Sequence, residues 1–370
     1  MNILVFISTL DCGGAERVVT TLTSEWAKVG HDVEICRFSD RQVKPFYELY
    51  PQVTLTSLNL IAESQHIVEA ISNNIRRLRS VRSILKNRNP DVVVSFMLDT
   101  SIAVLIANLG RKTPVIVAEH SDLEHYPVGP IWARLRSLCY KRASRLVVLN
   151  RNIEKWSQSA ITHRTMVIPN PVPHPTPPIC NTKKADQFTI LSVGRLDQLK
   201  SMNLVIDAFA KLAKKFDKVQ LVICGDGPER KNLERLVEGY SLSGRVELKG
   251  VVNNIAEEMY HADLFVTSSR TEAFPMALCE AMSAGLFVVS SRFNDSVEDF
   301  IRHGENGLLF DIGDQDRLIE FLCLAVMDKN LRDKGGEVGK AIVSRYEPRK
   351  IADDWITLFR SLMVENSLSH

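Results

Sequence analysis

The chain has 370 residues, 45% of them hydrophobic and 24% charged, a length and composition that suit two ordinary globular domains. A net charge of only +2 argues against a nucleic-acid-binding protein, and seven scattered cysteines with no CxxC pair are expected to be reduced core thiols in the cytoplasm. The charge is uneven: residues 1–170 hold 21 Lys and Arg against 15 Asp and Glu, and the remainder 25 against 29, so the basic character belongs to the N-terminal part.

The opening MNILVFISTL lacks a basic leader segment and is cut short by Asp11, so it reads as a strand rather than a signal peptide. No apolar run approaches the roughly 18–20 residues of a spanning helix, and any membrane contact is expected to be peripheral. A β-branched strand at 3–7, a loop at 8–14, a helix ending at Gly30 and a strand at 32–38 make a βαβ unit. Gly13 and Gly14 admit a ligand at the carboxyl edge of the first strand, although a tight turn uses the same residues. The pattern is not GxGxxG, so a dinucleotide is not supported.

Residues 40–60 read as irregular. A helix is expected over 65–87, with Ile71, Ile75, Leu78 and Leu85 on one face. Arg79, Arg82 and Lys86 follow its flank, Arg76, Arg77 and Arg88 lie nearby, and no acidic residue intervenes between Glu69 and Asp91. Such a flank suits a diphosphate or an anionic membrane surface, and equally a solvated face. A strand at 91–96, a helix at 102–109 and a strand at 114–118 lead to Glu119-His120-Ser121. There His120 is placed to touch a substrate hydroxyl, or to serve as a structural histidine. A second basic helix, PIWARLRSLCYKRASR, precedes strands at 146–149 and 165–168. The proline-rich PNPVPHPTPP then marks a linker and the domain boundary.

The same grammar restarts in the second half. Strands are expected at 188–193, 219–224, 246–248, 264–266, 286–289 and 308–310, and helices at 203–214, 229–240 and 253–260. Two doubly wound α/β domains facing one cleft follow from this alternation. Arg195 and Lys200 sit in the loop after the first of these strands. Arg forks a phosphate and Lys adds a point charge. Further on, TSSRTEAFPMALCEAMSAGLFVV carries a loop into a helix, with Pro275 suited to its first turn and Gly285 to its end. Amides at 274–276 would attract phosphate, and Glu272 and Glu280 would accept hydrogen bonds from hydroxyls. A sugar nucleotide offers both groups. The bland alternative makes Glu272 a cap and Glu280 a solvated surface residue.

Several stretches together resemble the GT-B-fold retaining glycosyltransferases of family 4, across nearly the whole chain. They are GGAERV (13–18), VIPNPV (167–172), SVGRLDQLKS (192–201), VICGDGPER (222–230), LKGVVNNIAEEMYHADLFVTSS (248–269) and EAFPMALCE (272–280), the last being the family's E-x7-E motif. Within the family the chain looks closest to bacterial enzymes of O-antigen, capsule or lipid-linked oligosaccharide assembly. Ser201, Ala273 and Phe287 depart from the family's usual Gly, Gly and Pro.

The resemblance implies an α/β GT-B fold. Its acceptor-binding domain would span 1–170, its nucleotide-sugar domain 171–351, and a last helix at 352–370 would pack back on the first. It also implies roles. Arg195 and Lys200 would hold the donor diphosphate and Glu280 the ribose hydroxyls. Glu272, Ala273, Phe274, Pro275 and Met276 would lie near the donor sugar and phosphate, and Gly250 and Val252 against the base. Gly13 and Gly14 would approach the phosphate, and His120 the donor sugar. Arg76, Arg79, Arg82 and Lys86 would face a polyprenyl-diphosphate-linked acceptor at the cytoplasmic face of the inner membrane. The implied reaction is retaining transfer of a hexose or N-acetylhexosamine from a UDP-sugar, giving an α-linked product. Asp314-Gln315-Asp316 reads as a turn and cap, and no metal or other cofactor is expected. A sugar-nucleotide epimerase and a non-catalytic sugar-nucleotide-binding partner are the competing readings; turnover without an acceptor marks the first, and binding without turnover the second.

Overall fold

Near-continuous Val/Ile/Leu runs, buried on both faces, form the strands of a computed structural model that describes residues 1–60, 67–123, 128–175 and 187–368. The chain divides into two units, Met1–Pro171 with Pro348–His370, and Val172–Glu347.

The first unit runs β1 (Asn2–Ile7), α1 (Gly14–Lys28), β2 (Asp32–Arg37), β3 (Thr54–Ser57), α2 (Ile67–Arg88), β4 (Val92–Phe96), α3 (Leu98–Ala107), β5 (Val115–Ala118), α4 (Pro130–Tyr140), β6 (Arg145–Val148), α5 (Arg151–Ala160) and β7 (Thr165–Val167). Its parallel sheet has the order β3-β2-β1-β4-β5-β6-β7. Two elements were not expected. The edge strand β3 lies inside the stretch read as irregular and pairs with β2 from Glu34↔Thr54 to Arg37↔Ser57. Helix α5 starts at the side-chain cap Asn150, which accepts from Ile153 N at 2.9 Å. Helix α3 begins at Leu98, four residues earlier than expected. The expected start of α2 at Gln65 and the linker residues 176–178 lie outside the described residues, as do the last two residues of the chain.

The second unit runs β8 (Phe188–Val193), α6 (Met202–Leu212), β9 (Val219–Cys224), α7 (Arg230–Gly239), β10 (Val246–Gly250), α8 (Ile255–His261), β11 (Leu264–Thr267), α9 (Met276–Ser283), β12 (Val288–Ser291), β13 (Gly307–Phe310), α10 (Gln315–Met327) and α11 (Lys329–Val343). Its parallel sheet has the order β10-β9-β8-β11-β12-β13. Strand β12 starts two residues later than the sequence suggested, although the Phe287 carbonyl still accepts from Phe265 N at 3.0 Å and its ring is buried in the core. That position, where the family favours proline, is matched by Gly335: a Cβ there would come within 2.4 Å of the Phe287 ring. Asp314 caps α10, accepting from Arg317 N at 3.0 Å.

The last helix, α12 (Pro348–Leu368), belongs to the first unit. Trp355, Phe359 and Leu362 share one helical face and are buried. Trp26 of α1 meets Trp355 at 6.0 Å and Phe359 at 5.2 Å between ring centroids, and donates Nε1–H to the Ala352 carbonyl.

Candidate functional site

In each sheet the strand order reverses at one point, and the loops leaving the two strands there diverge and open a crevice. In the second unit that point lies between β8 and β11. The loop after β8 carries Arg195 and Lys200, and the loop after β11 carries Glu272.

Local chemistry folds the first loop. Asp197 Oδ1 accepts from Leu199 N (3.0 Å) and Lys200 N (3.1 Å), which turns the chain back toward the sheet. Ser201 sits in the left-handed region at φ 48°, ψ 42°, which explains why glycine is usual there; serine accepts a strain of about 1 kcal/mol. Its hydroxyl donates to Gln198 O and accepts from Arg270 Nε at 3.0 Å, compensating part of that strain. Ser268 Oγ reaches the carbonyls of Lys200 and Ser201, and Arg270 N donates to Leu199 O at 2.7 Å. The two loops are thus tied by backbone as well as side chains.

On this frame the Lys200 ammonium pairs with Glu272 Oε1, to which Ser269 Oγ also donates at 2.7 Å. Asn294 Nδ2 donates to the Glu272 carbonyl at 2.8 Å. Arg195 belongs to the same loop, but its guanidinium is 72% exposed and its nearest carboxylate is Asp197 at 3.8 Å. Glu280 is only 5% exposed, so the reading of it as a solvated surface residue is wrong. Burial, then the Glu280 charge, pushes the neighbouring Cys279 thiol well above its ordinary range.

Pro275 does not enter the first turn of α9. It occupies the cap position at φ −83°, ψ 72°, and Met276 N–H is directed to the Phe274 carbonyl at 2.9 Å. Of the amides expected at 274–276, the structure therefore leaves that of Phe274; the helix's own orphan N–H groups follow from Ala277 onward. Ala273 and Phe274 are buried, and the Phe274 ring packs edge-on against Phe300 and Tyr346.

Gly225 and Gly250 complete this sheet edge. Gly225 has φ +140°, donates its N–H to Gly250 O at 2.8 Å, and lies so close to the first loop that a Cβ would stand 1.9 Å from Gly194 O. Gly250 has φ +76°, and Val252 beyond it is half-buried. Gly225→Ala is expected to cost about 2–4 kcal/mol, since both the positive φ and the contact with backbone resist a methyl group; a lowered denaturant midpoint will show it.

The first unit reverses between β1 and β4. Gly13 is extended there (φ −162°, ψ 163°) and its lack of a side chain serves an internal need: a Cβ would fall 2.2 Å from Glu16 Oε2. Glu16 is 8% exposed, accepts from Thr9 Oγ1 at 3.2 Å, and has its pKa raised by burial. The start of α1, from Gly14, therefore faces its own carboxylate. Across the reversal, Ser8 Oγ lies 3.1 Å from Asp99 Oδ1 and 2.8 Å from Thr100 Oγ1, and Met97 holds φ +68°. Ser8, Met97 and Asp99 were missed by the sequence reading. Their signal is positional, directly after two strands that become neighbours only in the folded sheet.

His120 leaves the end of β5 half-buried, with the Phe96 ring 5.1 Å away. Its neighbour Glu119 is buried and anchored by Tyr140 OH (2.9 Å), Ser121 Oγ (2.5 Å) and Ser121 N (3.1 Å). Exclusion of water lowers the His120 pKa from 6.5 to about 4, so the imidazole is neutral at physiological pH and offers a hydrogen bond rather than a charge. The depressed value stabilises the fold fully above pH 6.5, and that contribution is lost as the pH falls through about 4. A carbon-detected NMR titration, with His120→Asn for assignment, will show a midpoint near 4; a midpoint near 6.5 would contradict the burial argument.

The basic flank of α2 is divided. Arg82 Nη1 donates to the Ala107 and Leu109 carbonyls, both at 2.9 Å, and closes the end of α3. Arg77 donates to Leu60 O, and Arg88 pairs with Glu34 at 2.6 Å. Arg76, Arg79 and Lys86 are exposed. The expected apolar face is also revised: Ile71 and Ile75 are 55% and 43% exposed, while Val81 and Leu85 are buried.

Residues 13–171 match the model of the glycosyl transferase 4-like domain, and residues 180–342 that of the glycosyl transferases group 1. A Campylobacter jejuni enzyme named GalNAc-α-(1→4)-GalNAc-α-(1→3)-diNAcBac-PP-undecaprenol α-1,4-N-acetyl-D-galactosaminyltransferase is 30% identical over 97% of this chain and 98% of its own. Among solved structures, a sucrose-phosphate synthase of Thermosynechococcus elongatus superposes with a TM-score of 0.86 at 18% identity, over 99% of this chain and 100% of its own. Anabaena HepE in complex with UDP and glucose gives 0.80 at 20% identity, over 98% and 100%. At these identities the two structures speak for the fold.

Proposed function

The chain belongs to the GT-B glycosyltransferases of family 4, and on that premise we propose that it is a retaining enzyme moving a hexose or N-acetylhexosamine from a UDP-sugar to a lipid-linked saccharide, with an α-glycosidic product. The observation that carries the reading is the Lys200–Glu272 pair across the reversal between β8 and β11, a cation and a hydroxyl acceptor side by side where open α/β sheets bind ligands.

In this reading the anomeric carbon–oxygen bond breaks and negative charge grows on the leaving diphosphate. Lys200, held at the reversal between β8 and β11, would meet that charge, joined by Arg195 from the solvent side. The acceptor hydroxyl oxygen forms the new bond on the same face of the sugar, and its proton passes to the leaving phosphate oxygen. Glu280 takes the ribose hydroxyls and Glu272 a hydroxyl of the donor sugar. Because Glu16 holds a carboxylate at the start of α1, the diphosphate is assigned to Lys200 and Arg195 rather than to Gly13 and Gly14. The two cations supply the charge a divalent metal otherwise would, so transfer is expected to persist in a chelator.

The acceptor assignment is supported by the C. jejuni relative, whose name includes an undecaprenol-linked saccharide, and by the exposed Arg76, Arg79 and Lys86. The protein would then work at the inner face of the plasma membrane; no described helix is long and apolar enough to cross a membrane. The test is incubation of the full chain with a panel of UDP-sugars and a polyprenyl-diphosphate-linked saccharide. One donor should yield a product with an α-anomeric proton, only when acceptor is present. A β-linked product overturns retention, and conversion of the donor without acceptor replaces the reading with an epimerase.

A further inference from the structure

The loop that carries Glu272 is gripped from a third direction. Strand β12 lies beside β11 on the side away from β8, and the chain leaving it is fixed to its own core: Phe293 and Val297 are buried, and Asp295–Asp299 closes a short 3-10 turn. From that base three contacts reach the neighbouring loop. Ser291 Oγ donates to the Ser269 carbonyl at 2.6 Å, Asn294 Nδ2 donates to the Glu272 carbonyl at 2.8 Å, and the Phe300 ring meets Phe274 at 5.2 Å between centroids.

The Asn294 amide has one orientation. Its Oδ1 accepts from Ser296 N (3.0 Å) and Ser296 Oγ (2.6 Å), and Ser296 is itself buried. Turned over, the amide would set an NH2 against an N–H and an oxygen against the Glu272 carbonyl. The Asn294 backbone is fully extended, φ −172° and ψ 176°, which any residue adopts, so it is the side chain that the position uses.

The consequence lies at Glu272, whose carboxylate is held by Lys200 and Ser269. On the reading above, a donor draws Lys200 to its diphosphate, and Glu272 must then stay in place to accept from a sugar hydroxyl. The hold on its carbonyl does not pass through the carboxylate, so it survives that exchange. A peptide is planar, and a fixed carbonyl sets the plane from which the Glu272 Cα carries its side chain. We propose that Asn294 is a positioning residue for transfer: through the Glu272 carbonyl it keeps the Glu272 carboxylate at the sugar end of the donor once Lys200 has left it. The proposal rests on the reading of Glu272 as the acceptor for a donor hydroxyl, and Asn294 acts through Glu272 rather than on the substrate.

The experiment compares the full chain with Asn294→Ser and Asn294→Asp. Both keep an oxygen that can cap Ser296 N. Neither can donate to the Glu272 carbonyl, since serine is too short and the ionised aspartate has no N–H. Hydrogen exchange is read first, without ligand. The segment 269–276 should exchange faster in both variants by at least about fivefold, with the rest of the second unit unchanged. Then kcat for transfer should fall about ten- to a hundredfold, the scale expected when a catalytic group is displaced by an ångström or less. UDP carries no sugar for Glu272 to hold, so its affinity should stay within about twofold. Unchanged exchange in 269–276, or a kcat within about twofold of the wild type, overturns the proposal. So does a parallel loss of kcat, UDP affinity and thermal midpoint, which would make Asn294 a structural prop. A wild type that transfers from no donor sinks the reading of Glu272, and the proposal with it. The two failures are distinct, because the exchange measurement needs neither donor nor acceptor.

Discussion

Replacing Lys200 with alanine is expected to lower kcat/KM about a thousandfold while changing stability by no more than about 1 kcal/mol. The small stability effect follows from the pair's setting. The Lys200 and Glu272 side chains are 25% and 16% exposed, and the surrounding loop is held by bonds that do not involve the ammonium: Asp197 to two amides, Ser268 to two carbonyls, Arg270 to Leu199. The large kinetic effect has two parts. The departing diphosphate loses a cation that was already in place, and Glu272 is left beside it as an uncompensated carboxylate. Arg195, mainly in solvent, cannot replace a group held at the switch point. Lys200→Arg keeps the charge on a longer, planar head and should recover part of the loss. Steady-state kinetics with calorimetry of UDP binding will check this. A loss below tenfold would mean that the diphosphate is held elsewhere.

The sequence made most of the second unit legible, and for a physical reason. Parallel strands buried on both faces are continuous apolar runs, and VQLVIC or LFVT has no competing interpretation. The failures are where burial is partial. TLTS forms β3 because β2 offers a free edge, and one paired side leaves its residues half-exposed and polar. Helix α5 is strongly amphipathic, with Ile153 and Ser157 buried and Asn150 a readable cap, so it was legible in the sequence and was passed over. Helix α3 starts early because Asp99 and Thr100 find Ser8 across the sheet, a contact invisible along the chain. The same limit applies to the candidate site. Glu280 was singled out by its motif, but its burial was not foreseen. The pairing of Lys200 with Glu272 needs β8 and β11 to be neighbours, and two strands lie between them in the sequence. Gly13 was read as room for a ligand, and the close approach of the Glu16 side chain to it, from three residues on, was not legible.

Glu272→Gln should move two measurements in opposite directions. Without a ligand, Glu272 holds the Lys200 ammonium that the proposed diphosphate must recruit, and its own charge repels that diphosphate. Glutamine keeps the size and can still accept from Ser269, but it no longer competes for the cation. Binding of UDP alone should therefore tighten, by about three- to tenfold, the scale expected when one screened charge contact is removed at a partly exposed site. Transfer should fall about a hundredfold, because an amide is a weaker acceptor for the hydroxyl of the donor sugar and cannot orient it as a carboxylate does. On the proposed reading, the pairing would make the free enzyme bind UDP less well than its charges alone would allow, and only a donor that also carries a sugar would replace what Glu272 gives up. Calorimetry with UDP and kinetics with the UDP-sugar separate the outcomes. Tighter UDP with unchanged turnover would leave Glu272 a counter-ion with no part in orienting the sugar. Weaker UDP would mean that Lys200 depends on Glu272 to stand in position, and the competition between carboxylate and diphosphate would be wrong.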